Sequence, residues 1–261
     1  MRAPRPVRIG YQLQPQGASY DQIRRAVAEV EATGVDILFT WDHFFPPGNP
    51  TGSCFEAWSM LAAWAEATER VHLGTLVTGN SYRNPDLLAD MVRTIDHISA
   101  GRVLLGIGSG WYEPDYAEYG YDFGTPGSRL TDLGAALPRI KARWAALNPP
   151  PTRQIPVLIG GAGERKTLRY VAEHADIWHS FSDPDTLRHK SEVLARHCAA
   201  IGRDAGEIEH SVGVSGLPTA HTQQLRDSGA TLFTIERGGP DYQVPELRTW
   251  IRWRDQQNAA S

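Results

Sequence analysis

The chain has 261 residues, of which 41% are hydrophobic and 21% charged, with a formal net charge of -4. That size and balance exclude a disordered chain and a minimal module, and the acidic charge leaves no electrostatic footprint for nucleic acid. Cys54 and Cys198 alone cannot build a disulfide framework or a zinc cluster, and no apolar run reaches the roughly 20 residues of a membrane span.

Short apolar runs of strand type alternate with helical stretches. The first strand covers Val7 to Leu13. Ser19 with Gln22 then forms a capping box, opening a helix that Gly34 closes. Val35 to Thr40 and Val71 to Val77 are the next two strands. Asn84 before Pro85 starts a helix that ends at Gly101. After a fourth strand, Val103 to Ile107, a helix runs from Arg129 towards Leu147 with Pro138 inside it, and Asn148-Pro149-Pro150-Pro151 reads as an extended linker. Pro156 to Ile159, Asp176 to Phe181, Glu207 to Val214 and Thr231 to Ile235 complete the strands. Asp183-Pro184 opens a helix that Gly202 ends.

Eight continuously apolar strands suit a parallel sheet buried on both faces. With eight helices between them they predict a (β/α)8 TIM barrel, an α/β fold that takes about 250 residues, as one domain over residues 1–261. An open doubly wound sheet is disfavoured, because no strand–helix unit carries a full dinucleotide fingerprint. The basic start Met1 to Pro6 leads into no apolar signal core, so a soluble, cytoplasmic protein is expected.

In such a barrel, function sits at the C-terminal strand ends. The second strand ends in Phe39-Thr40-Trp41-Asp42-His43-Phe44, a carboxylate and an imidazole among aromatics, suited to proton chemistry near neutral pH. The third ends in Gly74-Thr75-Leu76-Val77-Thr78-Gly79, where small residues let a backbone approach a ligand or simply turn. The fourth ends in Gly106-Ile107-Gly108-Ser109-Gly110-Trp111, whose spacing is not that of a Rossmann loop but which exposes N–H groups to an anion. After the fifth come Gly160-Gly161-Ala162-Gly163-Glu164-Arg165-Lys166 and a helix. Orphan N–H groups, the helix dipole and two basic residues favour a phosphate there, although the same residues also make an ordinary glycine turn. His179, in Trp178-His179-Ser180-Phe181 at the end of the sixth strand, faces either the mouth or the core.

Together these segments resemble the bacterial luciferase-like monooxygenase superfamily, and in particular its coenzyme F420 (deazaflavin)-dependent oxidoreductases. The resemblance covers nearly the whole chain and includes the closing Trp250 and Trp253-Arg254-Asp255-Gln256-Gln257-Asn258. It implies a luciferase-like barrel holding F420, or alternatively FMN, at the strand C-termini. His43 would be the acid/base and Asp42 its orienting or charge-stabilising partner, close to the reacting ring face. Thr40, Asp42, Leu76, Val77 and Thr78 would surround the ring, with a non-prolyl cis peptide at Leu76–Val77. Gly108, Ser109, Gly110 and Trp111 would hold the ribityl chain and phosphate, together with Gly160, Gly161, Ala162, Gly163, Glu164 and Arg165. Phe44, Trp178 and His179 would line the substrate side. It implies a small-molecule substrate, a homodimer and possible service by a separate cofactor reductase. Trp111 stands where some deazaflavin dehydrogenases place a glutamate, which argues against a sugar-phosphate substrate. The usual insertion before the fifth strand is cut short by Pro149-Pro150-Pro151, which predicts a more open site or one completed by another subunit. The alternatives are an FMN-dependent two-component monooxygenase of the same fold, a non-catalytic flavin-binding relative, and a metal hydrolase using Asp42, His43 and His179.

Overall fold

The computed structural model of the protein describes residues 5–259; the first part of the basic start, Met1 to Pro4, lies outside them. The runs of Val, Ile, Leu and Phe form parallel strands: β1 (Arg8–Leu13), β2 (Ile37–Thr40), β3 (His72–Thr75), β4 (Thr78–Gly79), β5 (Val103–Gly108), β6 (Val157–Gly160), β7 (Ile177–Ser180), β8 (Glu209–Val214) and β9 (Ala230–Arg237). They lie in the order β3-β2-β1-β9-β8-β7-β6-β5-β4, and β3 also pairs with β5 through Leu73 opposite Val103, so the sheet closes. β3 and β4 are two pieces of one barrel strand. The architecture is the closed eight-stranded parallel barrel that the alternation predicts.

Strand alternation divides the apolar residues into two cores. Ile37, Phe39, Leu104, Leu158, Ile177 and Leu232 cluster with Leu76 inside the barrel. Ile9, Leu38, Leu73, Leu105 and Ile159 join the larger core that also holds the apolar helix residues. The helices are α1 (Tyr20–Ala32), α2 (Ala57–Ala67), α3 (Pro85–Ile98), α4 (Glu113–Tyr119), α5 (Pro126–Ala146), α6 (Thr167–His174), α7 (Pro184–Ala200), α8 (Ala220–Asp227) and α9 (Val244–Ala259).

The caps form where the local signals put them. Ser19 and Gln22 make the reciprocal box on α1, Asn84 caps α3, and Asp183 caps α7 through the N–H groups of Asp185 and Thr186. Two helices differ from expectation. α5 begins at Pro126, not Arg129, because Thr125 and Ser128 form a capping box ahead of it. α4 is an additional turn of helix between β5 and α5. The residues of the closing motif fasten the chain ends: Asn258 exchanges two hydrogen bonds with the Val7 backbone at 2.7 and 2.9 Å, and Arg254 reaches Asp36 and the Gly34 carbonyl. Among the described residues, no helix is long and apolar enough to cross a membrane.

The third barrel strand breaks at Leu76–Val77, whose peptide bond is cis. Just before the break, Thr75 presses against β5. Its hydroxyl donates to the Gly106 carbonyl at 2.6 Å, and a Cβ on Gly106 would collide with the Thr75 carbonyl oxygen. Just after it, Val77 is directed into the mouth, where a Cβ on Gly108 would stand 2.9 Å from its Cγ2. Gly106→Ala is therefore expected to destabilise the protein by at least about 3 kcal/mol, the upper end of overpacking costs. Gly34→Ala, strained by a φ of +85° but with nothing within 4 Å, should cost only about 1 kcal/mol. Urea denaturation of the two variants checks the contrast.

Candidate active site

The C-terminal strand ends surround a cavity of about 580 Å³. Its wall includes Asp42 and His43 after β2, Leu76, Val77 and Thr78 at the strand break, Gly108 to Trp111 after β5, Gly160 to Ala162 after β6, and His179 on β7. Most of the residues singled out in the sequence thus converge on one space. Gln12, Trp41, Gly79, Tyr82, Ser180, Phe181 and Glu236 share it.

His43 lines the cavity and has a buried acidic partner. Its Nδ1 lies 2.6 Å from Oδ2 of Asp115, a fully buried carboxylate on α4. Asp115 also accepts from the Tyr82 hydroxyl at 2.8 Å and the Phe44 N–H at 3.3 Å. Burial, then the neighbouring Asp115 charge, pushes the Tyr82 phenol upward, so Tyr82 stays a protonated donor. The imidazole is boxed edge-to-face by Trp41, Trp111 and Tyr112, with centroids 5.0, 5.7 and 5.4 Å away. With Nδ1 committed, Nε2 is the ring nitrogen left for a ligand.

Asp42 does not orient His43, contrary to the sequence reading. A buried carboxylate requires a cation or several donors, and Arg83 supplies both through Nη1 at 2.6 Å and Nη2 at 3.0 Å. Thr78 donates a further, short hydrogen bond to Asp42 and accepts from Trp58 Nε1 at 3.1 Å. Arg83 extends the network to Glu56, 2.6 Å away, which caps α2. Burial raises the Asp42 carboxyl while Arg83 opposes that shift. The network ties β2, β4 and α2 together beneath the cavity.

Six other expected site residues lie elsewhere. Phe44 turns from the cavity to stack on Tyr82 and Tyr119, with centroids 4.8 and 4.1 Å away. Trp178 is buried in the outer core, its Nε1 bonded to the Gly161 carbonyl at 2.7 Å. Thr40 is fully buried at the end of β2. Glu164 leaves the mouth because His189 and Lys190 of α7 bind its carboxylate at 3.0 and 2.7 Å. Gly163 stands outside the wall, and its carbonyl accepts from the Leu168 N–H. Arg165 is an exposed turn residue before α6.

The phosphate segment is only partly available. The Gly161 N–H is used by the His179 carbonyl at 3.0 Å, and the helix starts at Thr167, later than the glycine run suggests. The N–H groups of Ala162 to Thr167 have no hydrogen-bond partner among the described residues. The proline run lies away from the cavity wall. Thr152 and Arg153, just past it, bond to Asp96, Gly101 and Val103 at the N-terminal end of β5, on the opposite face of the barrel.

Asp115 does have a local signal: Glu113-Pro114-Asp115 after a glycine-rich strand end is the composition of a first helical turn. Glu236 falls one residue beyond the predicted end of the last strand. Nothing local marks Arg83 as the partner of Asp42, 41 residues away.

His179 is buried, with Nδ1 2.9 Å from the Ser211 hydroxyl and Nε2 without a partner. Burial lowers it to about 4, and His210 likewise. Between that value and the ordinary 6.5, the unfolded chain binds protons that the folded chain refuses, so stability is full above 6.5 and declines as pH falls towards 4. The Tm should drop across this window, and less so in His179→Asn. A melting series against pH tests both.

The family described as luciferase-like monooxygenase matches residues 5–243 of this chain. An uncharacterized protein of Mycobacterium tuberculosis is 31% identical over 166 residues, 57% of this chain and 58% of that one. An F420-dependent glucose-6-phosphate dehydrogenase of Amycolatopsis mediterranei is 29% identical over 143 residues, 54% of this chain and 43% of that one. The matches thus span about half the length of these curated relatives. Among solved structures, an F420-dependent secondary alcohol dehydrogenase in complex with an F420-acetone adduct superposes with a TM-score of 0.81 at 15% identity, over 94% of this chain and 98% of that one. A type II Baeyer-Villiger monooxygenase constituent from Pseudomonas putida in complex with FMN gives 0.65 at 17% identity, over 82% and 68%. At these identities the structural likeness is one of fold.

Proposed function

Because this chain belongs to the luciferase-like monooxygenase family, we propose that it is an F420-dependent oxidoreductase moving a hydride between the deazaflavin and a small organic substrate, with His43 giving or taking the proton. The observation that carries the reading is the His43–Asp115 contact at 2.6 Å on the wall of the strand-end cavity. When bound, the deazaflavin supplies a ring carbon that carries or accepts the hydride.

The chain supplies binding, orientation and a proton. Val77, set against Gly108 and Gly160, offers an apolar backing for a flat ring. Gln12 Oε1 and His179 Nε2 are buried polar atoms without partners in the same cavity. Leaving such atoms unpaired costs about 1–3 kcal/mol each, so they fit a ligand with hydrogen-bonding groups at its edge. The unpaired N–H groups of 162–167, beside Arg165, suit the anionic tail of that ligand. Asp115 holds Nδ1 and stabilises the protonated imidazole, leaving Nε2 to exchange a proton with the substrate oxygen. The aromatic box limits water around that nitrogen.

Titration of the purified chain with F420 and with FMN, followed by cofactor fluorescence, is expected to show preferential F420 binding. Preferential FMN binding together with substrate-dependent oxygen consumption would replace this reading with a two-component monooxygenase. His43→Asn should lower F420-dependent turnover by about 10²–10⁴-fold, the usual worth of general acid–base help, with cofactor affinity held within a few-fold. Asp115→Asn should give a smaller loss in the same direction. Undiminished turnover in His43→Asn would end the proton-carrier role.

A further inference from the structure

One cavity group has no part in the reading above. Glu236 lies near the end of β9, in register with Gln12 of β1, and both side chains line the cavity. No donor among the described residues pairs with its carboxylate. Arg237, the adjacent cation, is turned to Glu246. The other carboxylate of the wall, Asp42, is neutralised by Arg83. No lysine or arginine lines the cavity. The wall therefore carries one uncompensated negative charge, and burial pushes that carboxyl upward because water solvates it poorly.

The same cavity is flanked by two exposed aromatic rings. Trp111 is 67% exposed beside His43, and Phe181 is 74% exposed, edge-on to His179 at 5.1 Å. Large exposed rings at the edge of a cavity offer apolar contact to a ligand rather than to the fold. Phe181 has room to lie there because Gly213, beneath it, has no side chain.

We propose that Glu236 is a specificity-determining residue: with Trp111 and Phe181 it restricts the substrate to apolar ring compounds that carry no negative charge and present a hydrogen-bond donor towards β9. An anionic group placed against β9 meets Glu236 with no cation to compensate, whereas a hydroxyl or amine donor pairs with it. The inference deepens the reading of this cavity as a substrate site and rests on it.

The test uses one ring with two substituents. Calorimetric titration of the full chain, at mildly alkaline pH, compares naphthol with naphthoate. Naphthol is expected to bind the wild-type protein more tightly by tenfold or more, which is about 1.4 kcal/mol. In Glu236→Gln the gap should close to within a few-fold, chiefly through tighter naphthoate binding, and in Glu236→Lys the preference should reverse. A wild-type protein that binds both probes alike, or neither, overturns the proposal, as does an undiminished gap in Glu236→Gln. Since the readout needs no turnover, the two readings fail separately. An absent F420 interaction with the Glu236-dependent gap intact removes only the cofactor, and F420 binding without that gap removes only the specificity role.

Discussion

Closure of the barrel at β3 and β5 is the constraint on which the site depends. Leu73 and Gly74 pair with Val103 and Leu104, and the two strands then come so close that Gly106 must lack a side chain beneath the Thr75 carbonyl. Past that contact, the third strand leaves the ladder for two residues and rejoins as β4. The departure sends Val77 into the mouth, against two glycines of the neighbouring strand ends. An apolar floor of the cavity thus results from how the sheet closes, and the glycines at the ends of β5 and β6 make room for Val77 in it.

Around this floor, two buried carboxylates are kept apart by their partners. Asp42 receives a bidentate guanidinium and a hydroxyl, so its charge is spent within the protein. Asp115 receives an imidazole, a phenol and a backbone N–H, none of them a permanent cation. Breaking a buried ion pair is costly because the remaining charge has nowhere to go, so Asp42 and Arg83 act as structure. Asp115 points one carboxylate oxygen at the imidazole, 2.6 Å from Nδ1. The acid in contact with His43 is therefore Asp115, although its sequence neighbour Asp42 is the more conspicuous one.

The α4 turn and the aromatic residues after it are what shape the mouth. Tyr116, Tyr119, Tyr121 and Phe123 pack with Phe44 and Tyr82 into a cluster that holds Asp115 beneath it. On the opposite side, β7 contributes His179, the loop after it Phe181, and β9 Glu236. The cavity is thereby apolar at its edge and acidic at one wall, a polarity that follows from which strand ends face each other.

By itself, the sequence determined whatever depends on near neighbours along the chain. Strand runs, the capping box at Ser19, Asn and Asp caps, and glycines past helix ends are set by contacts within a few residues, so the repeating strand–helix unit and the glycine-rich strand ends are legible. Tertiary structure decided which of those residues meet. His43 and Asp115 are 72 positions apart, Asp42 and Arg83 are 41, and Gln12 and Glu236 come from the first and last strands. Adjacency made Asp42 look like the partner of His43, but a buried charge takes whichever donors the folded chain brings to it, and those arrive only when the barrel closes.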